Sequence, residues 1–357
     1  MGNRILVNGA AGFLGTTVVE LLCKSGYKVR ATDRPGTSLD HARDCGAETV
    51  FHDLLETKGL DEIHGGVDAV VNVAGYFSLS ADYDTLFDAN VRCTENMCEA
   101  SLKAGVGRFV HISSIGVYGL PVNYRAAEHS MKRPRNDYEI TKKLGEDVAL
   151  HYFREKGLPV TVLRPALIYG PRGRYGQAPM IAALALLKHL EFKRLYLYEG
   201  GPQMHHVHVQ DVARAVELLL NKDEAVGEVF NCGDDTPVDW GLWLQWVAQH
   251  LGITYKMIPW YDGLAKLIFG ALVRIPRRPV DIFNEWCGNK WEKAVKELLL
   301  QPMLVPGIDP GFFPYLAGHH VYDTRKIKAL GFEPAFPYTR YGLKNVISWY
   351  KDNHWIP

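Results

Sequence analysis

The sequence predicts an α/β protein with a doubly wound parallel sheet and a smaller C-terminal lobe. Short runs rich in β-branched residues alternate with amphipathic segments of helical periodicity through the first half of the chain. This alternation is typical of parallel strands joined by helices that cover both faces of one sheet. The chain has 357 residues, which is long for one core, so a second lobe is expected. All eight tryptophans lie at position 240 or later, which places an aromatic interior in that lobe.

The first half contains six strand candidates separated by helical segments. In chain order they are residues 4–8, 27–33, 48–52, 68–73, 108–113 and 158–164. A first helix is predicted over 13–25, because Leu14, Val18 and Leu22 fall on one stripe. Two longer amphipathic segments, 83–104 and 137–156, predict two long helices between later strands.

The alternation becomes irregular after residue 164. A Gly/Arg-rich loop and an apolar helix follow, whereas 206–231 again has the pattern of strand, helix and strand and is expected to return to the sheet. We therefore predict two domains. The first, the sheet domain, comprises 1–170 and 202–232, and the second, a substrate-binding lobe, comprises 171–201 and 233–357.

Charge and composition argue against several classes of function. The 40 basic side chains balance 40 acidic ones, so no overall charge favours nucleic acid or an anionic membrane, and no nucleic-acid motif is present. Six scattered cysteines without a C-x-x-C pair indicate reduced thiols. No apolar stretch reaches the roughly 20 residues of a spanning helix. The N-terminal apolar run is broken at Asn8-Gly9, too early for a signal peptide, and we expect a cytoplasmic protein.

Five histidines are clustered along the second half of the chain, at His205, His206, His208, His319 and His320. Their spacing matches no familiar metal site, and no set of cysteines or acids completes one. We expect structural or substrate-facing histidines and no metal.

A glycine-rich turn follows the first predicted strand and opens the first predicted helix. Gly9 permits a tight turn, Gly12 lets the backbone approach a pyrophosphate, and Gly15 lets the helix pack close to the strand. The helix begins at Phe13 and Leu14, where unpaired N–H groups and a partial positive charge attract phosphate. The turn therefore predicts that the sheet domain binds a dinucleotide.

The residue at the end of the second predicted strand bears on which dinucleotide is bound. The Asp33 carboxylate can accept hydrogen bonds from the adenosine ribose hydroxyls and repels a 2′-phosphate, which favours NAD. The guanidinium of Arg34 next to it can bind that phosphate, so NADP stays open as an alternative.

Three side chains in the middle of the chain can perform acid–base chemistry. Tyr138 and Lys142 are four residues apart in the predicted helix 137–156, so they share one face. A nearby ammonium favours the phenolate and lowers the tyrosine pKa, which allows Tyr138 to exchange a proton with a substrate hydroxyl or ketone. Ser114 follows the strand 108–113, at the edge where open α/β sheets bind ligands, and can hold the substrate oxygen.

These motifs occur in the order found in extended short-chain dehydrogenases/reductases, and the sequence resembles that family over nearly its whole length. Besides the glycine turn and Asp33, the resemblance rests on these segments: Asp53-Leu54, Asn72-Val73-Ala74-Gly75, Asn90-Val91, Ser113-Ser114-x-x-Val117-Tyr118-Gly119, Tyr138-x-x-x-Lys142, Leu163-Arg164-Pro165-x-x-x-Tyr169-Gly170, His208-Val209-x-Asp211-Val212-Ala213, Tyr322-Asp323-x-x-Lys326 and Leu330-Gly331-Phe332-x-Pro334.

The resemblance implies a Rossmann-type fold and an NAD(P)-dependent oxidoreductase that works through Ser114, Tyr138 and Lys142. It implies that Asp53 contacts the adenine amino group and that Asn90 helps to order the active site. The backbone after Pro165 is expected to meet the carboxamide, and Lys142 to bond the nicotinamide ribose. The remaining expected cofactor contacts are Leu54, Val73, Ala74 and Gly75. The family also often forms homodimers through the two long helices, which we expect here.

The substrate has to be inferred from other parts of the chain. Similar 4,6-dehydratases carry an Asp-Glu pair after the catalytic hydroxyl, whereas this chain has Ile115 and Gly116, so dehydration is not expected. The apolar segment 263–275 resembles the C-terminal region of the 3β-hydroxysteroid dehydrogenase group. We therefore favour a secondary alcohol or ketone of a large apolar substrate, and contact of 263–279 with a membrane surface is an added expectation.

Two alternatives stay open. The basic residues Arg172, Arg174, Lys193 and Arg194 can pair with a diphosphate, which would suit a nucleotide-sugar epimerase or reductase. A non-catalytic dinucleotide sensor on the same fold would be recognised by loss of the tyrosine or lysine, and both residues are present.

Overall fold

The computed structural model describes residues 3–119, 125–259 and 278–357. Its strands are β1 (Arg4–Asn8), β2 (Lys28–Asp33), β3 (Glu48–Phe51), β4 (Ala69–Asn72), β5 (Arg108–Ile112), β6 (Val160–Pro165), β7 (Leu167–Tyr169), β8 (Leu195–Glu199), β9 (Gln203–Met204), β10 (His206–His208), β11 (Val229–Cys232), β12 (Val238–Asp239) and β13 (Tyr255–Pro259). Its helices are α1 (Phe13–Lys24), α2 (Asp40–Asp44), α3 (Leu60–His64), α4 (Tyr83–Phe87), α5 (Cys93–Ala104), α6 (Asp137–Lys156), α7 (Ala178–His189), α8 (Val209–Leu220), α9 (Trp240–Leu251), α10 (Arg278–Glu297), α11 (Arg325–Ala329) and α12 (Thr339–Asp352).

Seven parallel strands form the central sheet in the order β3-β2-β1-β4-β5-β6-β11. The chain runs outward from β1 to β3 and then returns to β4 on the other side of β1. This reversal leaves a crevice at the carboxyl ends of β1 and β4, where open α/β sheets bind their ligands. The predicted doubly wound, Rossmann-type α/β fold is confirmed.

Both faces of the sheet are covered by helices, as the apolar strands require. In β1, Ile5 and Val7 belong to an apolar cluster with residues of α1 and α8, whereas Leu6 belongs to a second cluster with residues of α5 and α6. All three side chains are fully buried. Alternate side chains of a strand point to opposite faces, so this pattern fixes the sheet between two layers of helices.

The helix expected over 83–104 is divided into α4, a π-helical segment at Asp88–Arg92, and α5. A side chain at Gly145 of α6 would lie 2.2 Å from the carbonyl oxygen of Asn90 in this segment, so the two elements approach closely here. Periodicity does not reveal a π turn, whose extra residue widens the helix locally and often marks a functional position.

The helix α6 has the predicted bounds, and its ends explain them. The side chain of Asn136 caps the N-terminus by accepting a hydrogen bond from the Glu139 N–H at 2.9 Å. Gly157 ends the helix in a left-handed conformation at φ 80°. The cap places Tyr138 in the first turn, directly beside the carboxyl edge of the sheet.

The second lobe has its own apolar interior, in which the tryptophans take part as expected. Trp243 of α9 is fully buried and stacks on Trp240, with ring centroids 5.1 Å apart. The surrounding cluster draws residues from α7, α10 and α12. It is consistent with a substrate-binding lobe at 171–201 and 233–357, and the domain division stays a prediction.

The apolar segment 263–275 lies outside the described residues. Of the range 263–279, for which we expect membrane contact, only residues 278 and 279 are described, at the start of α10. Within the described ranges, the helices are all too short or too polar to cross a membrane.

Candidate active site

The sequence-predicted cofactor residues are brought together at the carboxyl edge of the sheet. Each follows or ends a different strand: Gly9 after β1, Asp33 at the end of β2, Asp53 and Leu54 after β3, Val73, Ala74 and Gly75 after β4, and Pro165 at the end of β6. Because parallel strands end at the same edge, residues far apart in the chain line one crevice here.

The glycine turn forms a tight cradle that side chains would fill. A Cβ at Gly15 would lie 2.0 Å from the carbonyl oxygen of Gly9, and a Cβ at Gly9 would lie 2.8 Å from Ala74 Cα. Gly9 also has φ 65°, which favours glycine. Gly12 precedes α1 without a side-chain cap, so the first N–H groups of α1, from Phe13 onward, face the turn without a capping acceptor. The cradle therefore fits a dinucleotide pyrophosphate.

Asp33 is tied to this turn. Its Oδ2 accepts a hydrogen bond from the Ala11 N–H at 2.9 Å, and its Oδ1 accepts one from the Arg34 N–H at 2.8 Å. Each carboxylate oxygen keeps a further lone pair for a ribose hydroxyl. The Arg34 side chain is exposed beside it.

Tyr138 faces Ser114, whose side chain is hydrogen-bonded to the phenol. Burial of the phenol raises the pKa of Tyr138 to about 12, although the bond from Ser114 opposes this shift. The Ser114 Oγ also accepts a hydrogen bond from the Gly116 N–H at 3.0 Å, which fixes its position at the end of β5. A substrate oxygen between these two hydroxyls would contact both.

Lys142 lies beneath Tyr138 on the same face of α6. Its side chain is buried, and Nζ donates a hydrogen bond to the Ile112 carbonyl oxygen at 2.7 Å. Burial lowers the pKa of Lys142 to about 8, with the charge of Glu146 opposing the shift. We expected the ammonium to lower the pKa of Tyr138. In this structure the ammonium is directed at Ile112, and burial of the phenol dominates.

Asn90 connects the strand ends to the catalytic helix. Its Oδ1 accepts a hydrogen bond from the Tyr76 N–H at 2.9 Å, and its Nδ2 donates to the Thr141 hydroxyl at 3.1 Å. A Cβ at Gly75 would lie 2.9 Å from Asn90 Oδ1 and 3.6 Å from Lys142 Nζ. Gly75 therefore leaves the space in which Asn90 and Lys142 approach the crevice.

Ser113 has a different environment from its neighbour Ser114. Its hydroxyl donates to Glu146 Oε2 at 2.7 Å, and Glu146 is paired with Arg164 at 2.6 Å and with Lys132. Burial raises the pKa of Glu146, but the two cations outweigh burial and lower this pKa to about 2. Ser113 thus belongs to a buried ion-pair network, which supports the choice of Ser114 as the substrate-facing serine.

A cavity of about 280 Å³ opens beside the predicted catalytic residues. Its wall is mostly aromatic and aliphatic, with Phe77, Met180, Met204, Trp240, Phe312 and Leu316 among its residues. The edge of the Phe77 ring meets Tyr138, with centroids 4.9 Å apart, so the cavity adjoins the acid–base site. Of these residues, Trp240 and Met180 lie in segments that the sequence predicted to be apolar. Phe77, Phe312 and Leu316 come from a loop and a 3₁₀ segment whose approach depends on the tertiary fold.

Of the four basic residues that could pair with a diphosphate, only Arg174 lines this cavity. Arg172 pairs with Glu20 at 3.3 Å, whereas Lys193 and Arg194 are exposed and do not line the cavity. Arg174 does line it, with its guanidinium 5.4 Å above the Trp355 ring.

The histidines have structural environments. His205, His206, His208 and His320 are buried, and burial lowers the pKa of each, so that all four are neutral. Their contacts include the bond between His205 Nε2 and the Asp234 carbonyl oxygen at 2.7 Å. In the part of the chain that the structure describes, no group of His, Cys, Asp and Glu residues could hold a metal ion.

Comparison with known proteins agrees with this fold. The model of the NAD dependent epimerase/dehydratase family matches residues 5–233, more than half of the chain. A sterol demethylase protein B from Methylococcus capsulatus is 32% identical over 253 residues, which cover 69% of this chain and 74% of that protein. A dTDP-glucose 4,6-dehydratase from Streptomyces niveus is 26% identical over 99% of this chain and 95% of that protein.

Solved structures share the fold over the full length. The UDP-glucuronic acid 4-epimerase from Bacillus cereus, crystallised with UDP-glucuronic acid and NAD, superimposes with a TM-score of 0.71 at 22% identity. The match covers 98% of this chain and 99% of the epimerase. At this identity the likeness establishes the fold and leaves the substrate open.

Fold and crevice together define a dinucleotide-dependent oxidoreductase of the Rossmann type. The chain belongs to the NAD dependent epimerase/dehydratase family. This membership confirms the resemblance to extended short-chain dehydrogenases, the expectation of an enzyme, and the expectation of NAD as its cofactor. The roles of individual site residues and the preference for NAD over NADP stay predictions.

Proposed function

We propose that this enzyme interconverts a secondary alcohol and a ketone on a large apolar substrate, of the 3β-hydroxysteroid or lipid type. The observation that carries the proposal is the aromatic and aliphatic cavity that meets Tyr138 through Phe77. Ligand pockets with such a lining bind apolar bodies and orient them by a few polar groups. The similarity to a sterol demethylase supports the same substrate class.

The residues of the crevice can hold NAD in a defined direction. The glycine turn of Gly9, Gly12 and Gly15 would bind the pyrophosphate, Asp33 the adenosine ribose and Asp53 the adenine. NAD supplies the hydride acceptor for oxidation and, when reduced, the hydride donor for reduction.

The chain's own residues supply the proton transfer. Ser114 would hold the substrate oxygen, and Tyr138 would remove the hydroxyl proton during oxidation or return it during reduction. A phenol with a pKa of about 12 is a weak base at neutral pH, so its ionisation has to be assisted. The ammonium of Lys142 lies on the same helix face but is bonded to the Ile112 carbonyl oxygen in this structure, and we propose that it assists by turning from that oxygen toward the phenol.

A second candidate is a nucleotide-sugar epimerase or reductase. The position of Arg174 in the cavity wall favours it, because a guanidinium there can pair with a diphosphate. Dehydration has no support at the site, since Ile115 is buried and Gly116 carries no acid. A non-catalytic sensor would not need the hydrogen-bonded Ser114 and Tyr138 pair.

Steady-state assays separate these candidates. Purified enzyme should reduce NAD with dehydroepiandrosterone, a 3β-hydroxysteroid, and should not turn over UDP-glucose. Turnover of UDP-glucose with no activity on hydroxysteroids or long-chain secondary alcohols would overturn the proposal in favour of the sugar enzyme. Absence of turnover on both classes, with NAD still bound, would favour the sensor.

The role of Tyr138 is tested by Tyr138→Phe. We expect kcat to fall by about 10³-fold, within the range of general acid–base catalysis, while NADH affinity measured by fluorescence stays near the wild-type value. Tyr341→Phe, at an exposed tyrosine, is the matched control and should leave kcat unchanged. Equal turnover by wild type and Tyr138→Phe would remove the phenol from the mechanism.

Assembly is inferred from the family resemblance, and location from the sequence pattern. We propose a cytoplasmic homodimer that associates through the region of α4 to α5 and through α6, with 263–279 touching a membrane surface. Light scattering in solution and flotation with phosphatidylglycerol vesicles test the two contacts separately.

A further inference from the structure

One hydrogen-bonded contact joins the substrate lobe to the catalytic helix. The Tyr315 hydroxyl donates to Glu139 Oε1 at 2.5 Å and accepts from Asn136 Nδ2 at 2.8 Å. Asn136 caps α6, and Glu139 directly follows Tyr138. Tyr315 therefore holds both ends of the helical turn that carries the catalytic phenol.

The sequence around Asn136 forms a capping arrangement that depends on Glu139. The Asn136 side chain accepts a hydrogen bond from the Glu139 N–H at 2.9 Å, and Glu139 Oε2 accepts one from the Arg135 N–H at 2.7 Å. Glu139 is buried. A buried carboxylate is held in place by its donors, and Tyr315 is the donor that the second lobe contributes.

The segment that carries Tyr315 also forms the cavity wall. Phe312 and Leu316 lie on the same 3₁₀ segment, Pro310–Ala317, and line the cavity. The ring of Phe312 packs between those of Phe77 and Tyr315, with centroid distances of 6.4 and 5.9 Å. The Tyr315 carbonyl oxygen is bonded to His320 Nε2 at 3.0 Å, so the segment is anchored from behind.

We propose that Tyr315 is a positioning residue that couples filling of the substrate cavity to the placement of Tyr138. A substrate that packs against Phe312 presses on the segment Pro310–Ala317, and Tyr315 transmits this contact to the first turn of α6. This inference rests on the proposed role of Tyr138 as the acid–base group. It adds a residue from the C-terminal lobe, far from the catalytic segment in sequence.

Electrostatics give the coupling a measurable signature. Glu139, on the same helix, is the charged group whose field acts on the phenol, whereas the Lys142 ammonium is bonded to Ile112. Tyr315 is the titratable side chain of the facing segment Pro310–Ala317. Ser114 and Phe77, which also contact Tyr138, carry no charge. The negative charge of Glu139 raises the pKa of Tyr138. The bond from Tyr315 disperses that charge, so its removal should raise the pKa of Tyr138 further.

The test uses full-length enzyme labelled with 3-fluorotyrosine, because fluorination makes the phenol more acidic and ¹⁹F NMR follows each tyrosine. The Tyr138 resonance is the one lost in Tyr138→Phe. We expect Tyr315→Phe to raise the titration midpoint of Tyr138 and Glu139→Gln to lower it. If Tyr315 and Glu139 served only stability, the two variants would not shift the Tyr138 midpoint in opposite directions. Tyr341→Phe is the control and should leave the midpoint unchanged.

Kinetics provide the second readout. With dehydroepiandrosterone and NAD, Tyr315→Phe should lower kcat about tenfold, the effect of one lost hydrogen bond to a charged group, with KM and NADH affinity within about twofold of wild type. A Tyr138 midpoint and a kcat both equal to wild type in Tyr315→Phe would overturn the inference. The NMR titration needs no substrate. If the enzyme proves inactive on steroids, the shift of the Tyr138 midpoint in Tyr315→Phe therefore still tests the role of Tyr315.

Discussion

The ammonium of Lys142 donates a hydrogen bond to the backbone carbonyl oxygen of Ile112, the last residue of β5, at 2.7 Å. Lys142 is buried, and a side chain at Gly75 would approach its Nζ to 3.6 Å. One hydrogen bond to a neutral acceptor thus holds this charged group inside the sheet edge, and the negative charge of Glu146 favours its protonated form. Burial of a charge with so little compensation is costly for folding, and we propose that the site retains it because the chemistry needs a cation.

Lys142→Met should therefore separate stability from activity. Burial lowers the pKa of Lys142 from its ordinary value near 10.5 to about 8. Between these values the unfolded chain binds the proton more tightly than the folded chain, so this group makes stability rise with pH from about 8 to about 10.5. Below pH 8 the buried charge of Lys142 destabilises the fold to its full extent. Methionine removes this charge, so chemical denaturation of Lys142→Met at pH 7 should show a free energy of unfolding equal to or above that of wild type. Turnover should be lost.

The comparison of wild type and variant isolates Lys142 from the other groups that titrate at high pH. Lys103→Met, at an exposed lysine, is the matched control and should change neither the pH dependence nor kcat. A Lys142→Met protein that is less stable than wild type at pH 7 and equally sensitive to pH would show that the ammonium stabilises the fold.

Asp33→Asn should change the choice of cofactor. The substitution keeps an oxygen that accepts the hydrogen bond from the Ala11 N–H and removes the charge that repels a 2′-phosphate. The exposed Arg34 is then free to pair with that phosphate. We expect the ratio of kcat/KM for NADP to that for NAD to rise about tenfold or more, equivalent to about 1.4 kcal/mol.

Asp40→Asn, at an exposed carboxylate of α2, serves as the control for that experiment because it removes one negative charge from the segment that follows β2. A wild-type enzyme with higher kcat/KM for NADP than for NAD would contradict the assignment of Asp33, as would an Asp33→Asn protein whose cofactor ratio stays constant.

The parts of the site that sequence reasoning could predict are those governed by local rules. The glycine turn follows from conformational freedom, and the pairing of Tyr138 with Lys142 follows from helical periodicity. The strand pattern placed Asp33 and Ser114 at the edge where ligands bind, and the sheet order bears this placement out.

Other features depend on contacts between distant segments and have no local signal. The π segment around Asn90 arises where α6 approaches at Gly145. The cavity wall brings together Phe77 and Phe312, which are far apart in the sequence. The direction of Lys142 toward Ile112 likewise depends on how α6 packs on β5. For this reason the sequence alone predicted a lowered pKa for Tyr138, whereas the pKa in the structure is raised. One signal was present but unused: Asn136 and Glu139 have the spacing of a capping box.

The buried carboxyl of Asp234 should make the stability of the enzyme depend on pH near neutrality. Burial raises the pKa of Asp234 to about 8, with the nearby Asp211 adding to the shift and the bond from Thr339 at 2.8 Å opposing it. The folded chain therefore binds a proton that the unfolded chain releases at pH near 4, so stability is lost as pH rises from about 4 to about 8. Asp234→Asn mimics the protonated acid, and its melting temperature should fall less than that of wild type between pH 5 and pH 8.

Asp352→Asn, at an exposed position in the last helix, is the control and should behave as wild type. If the melting temperatures of wild type and Asp234→Asn changed equally over this pH range, the carboxyl would be ionised in the folded enzyme throughout. The bond from Thr339 would then be enough to offset the cost of burying the charge.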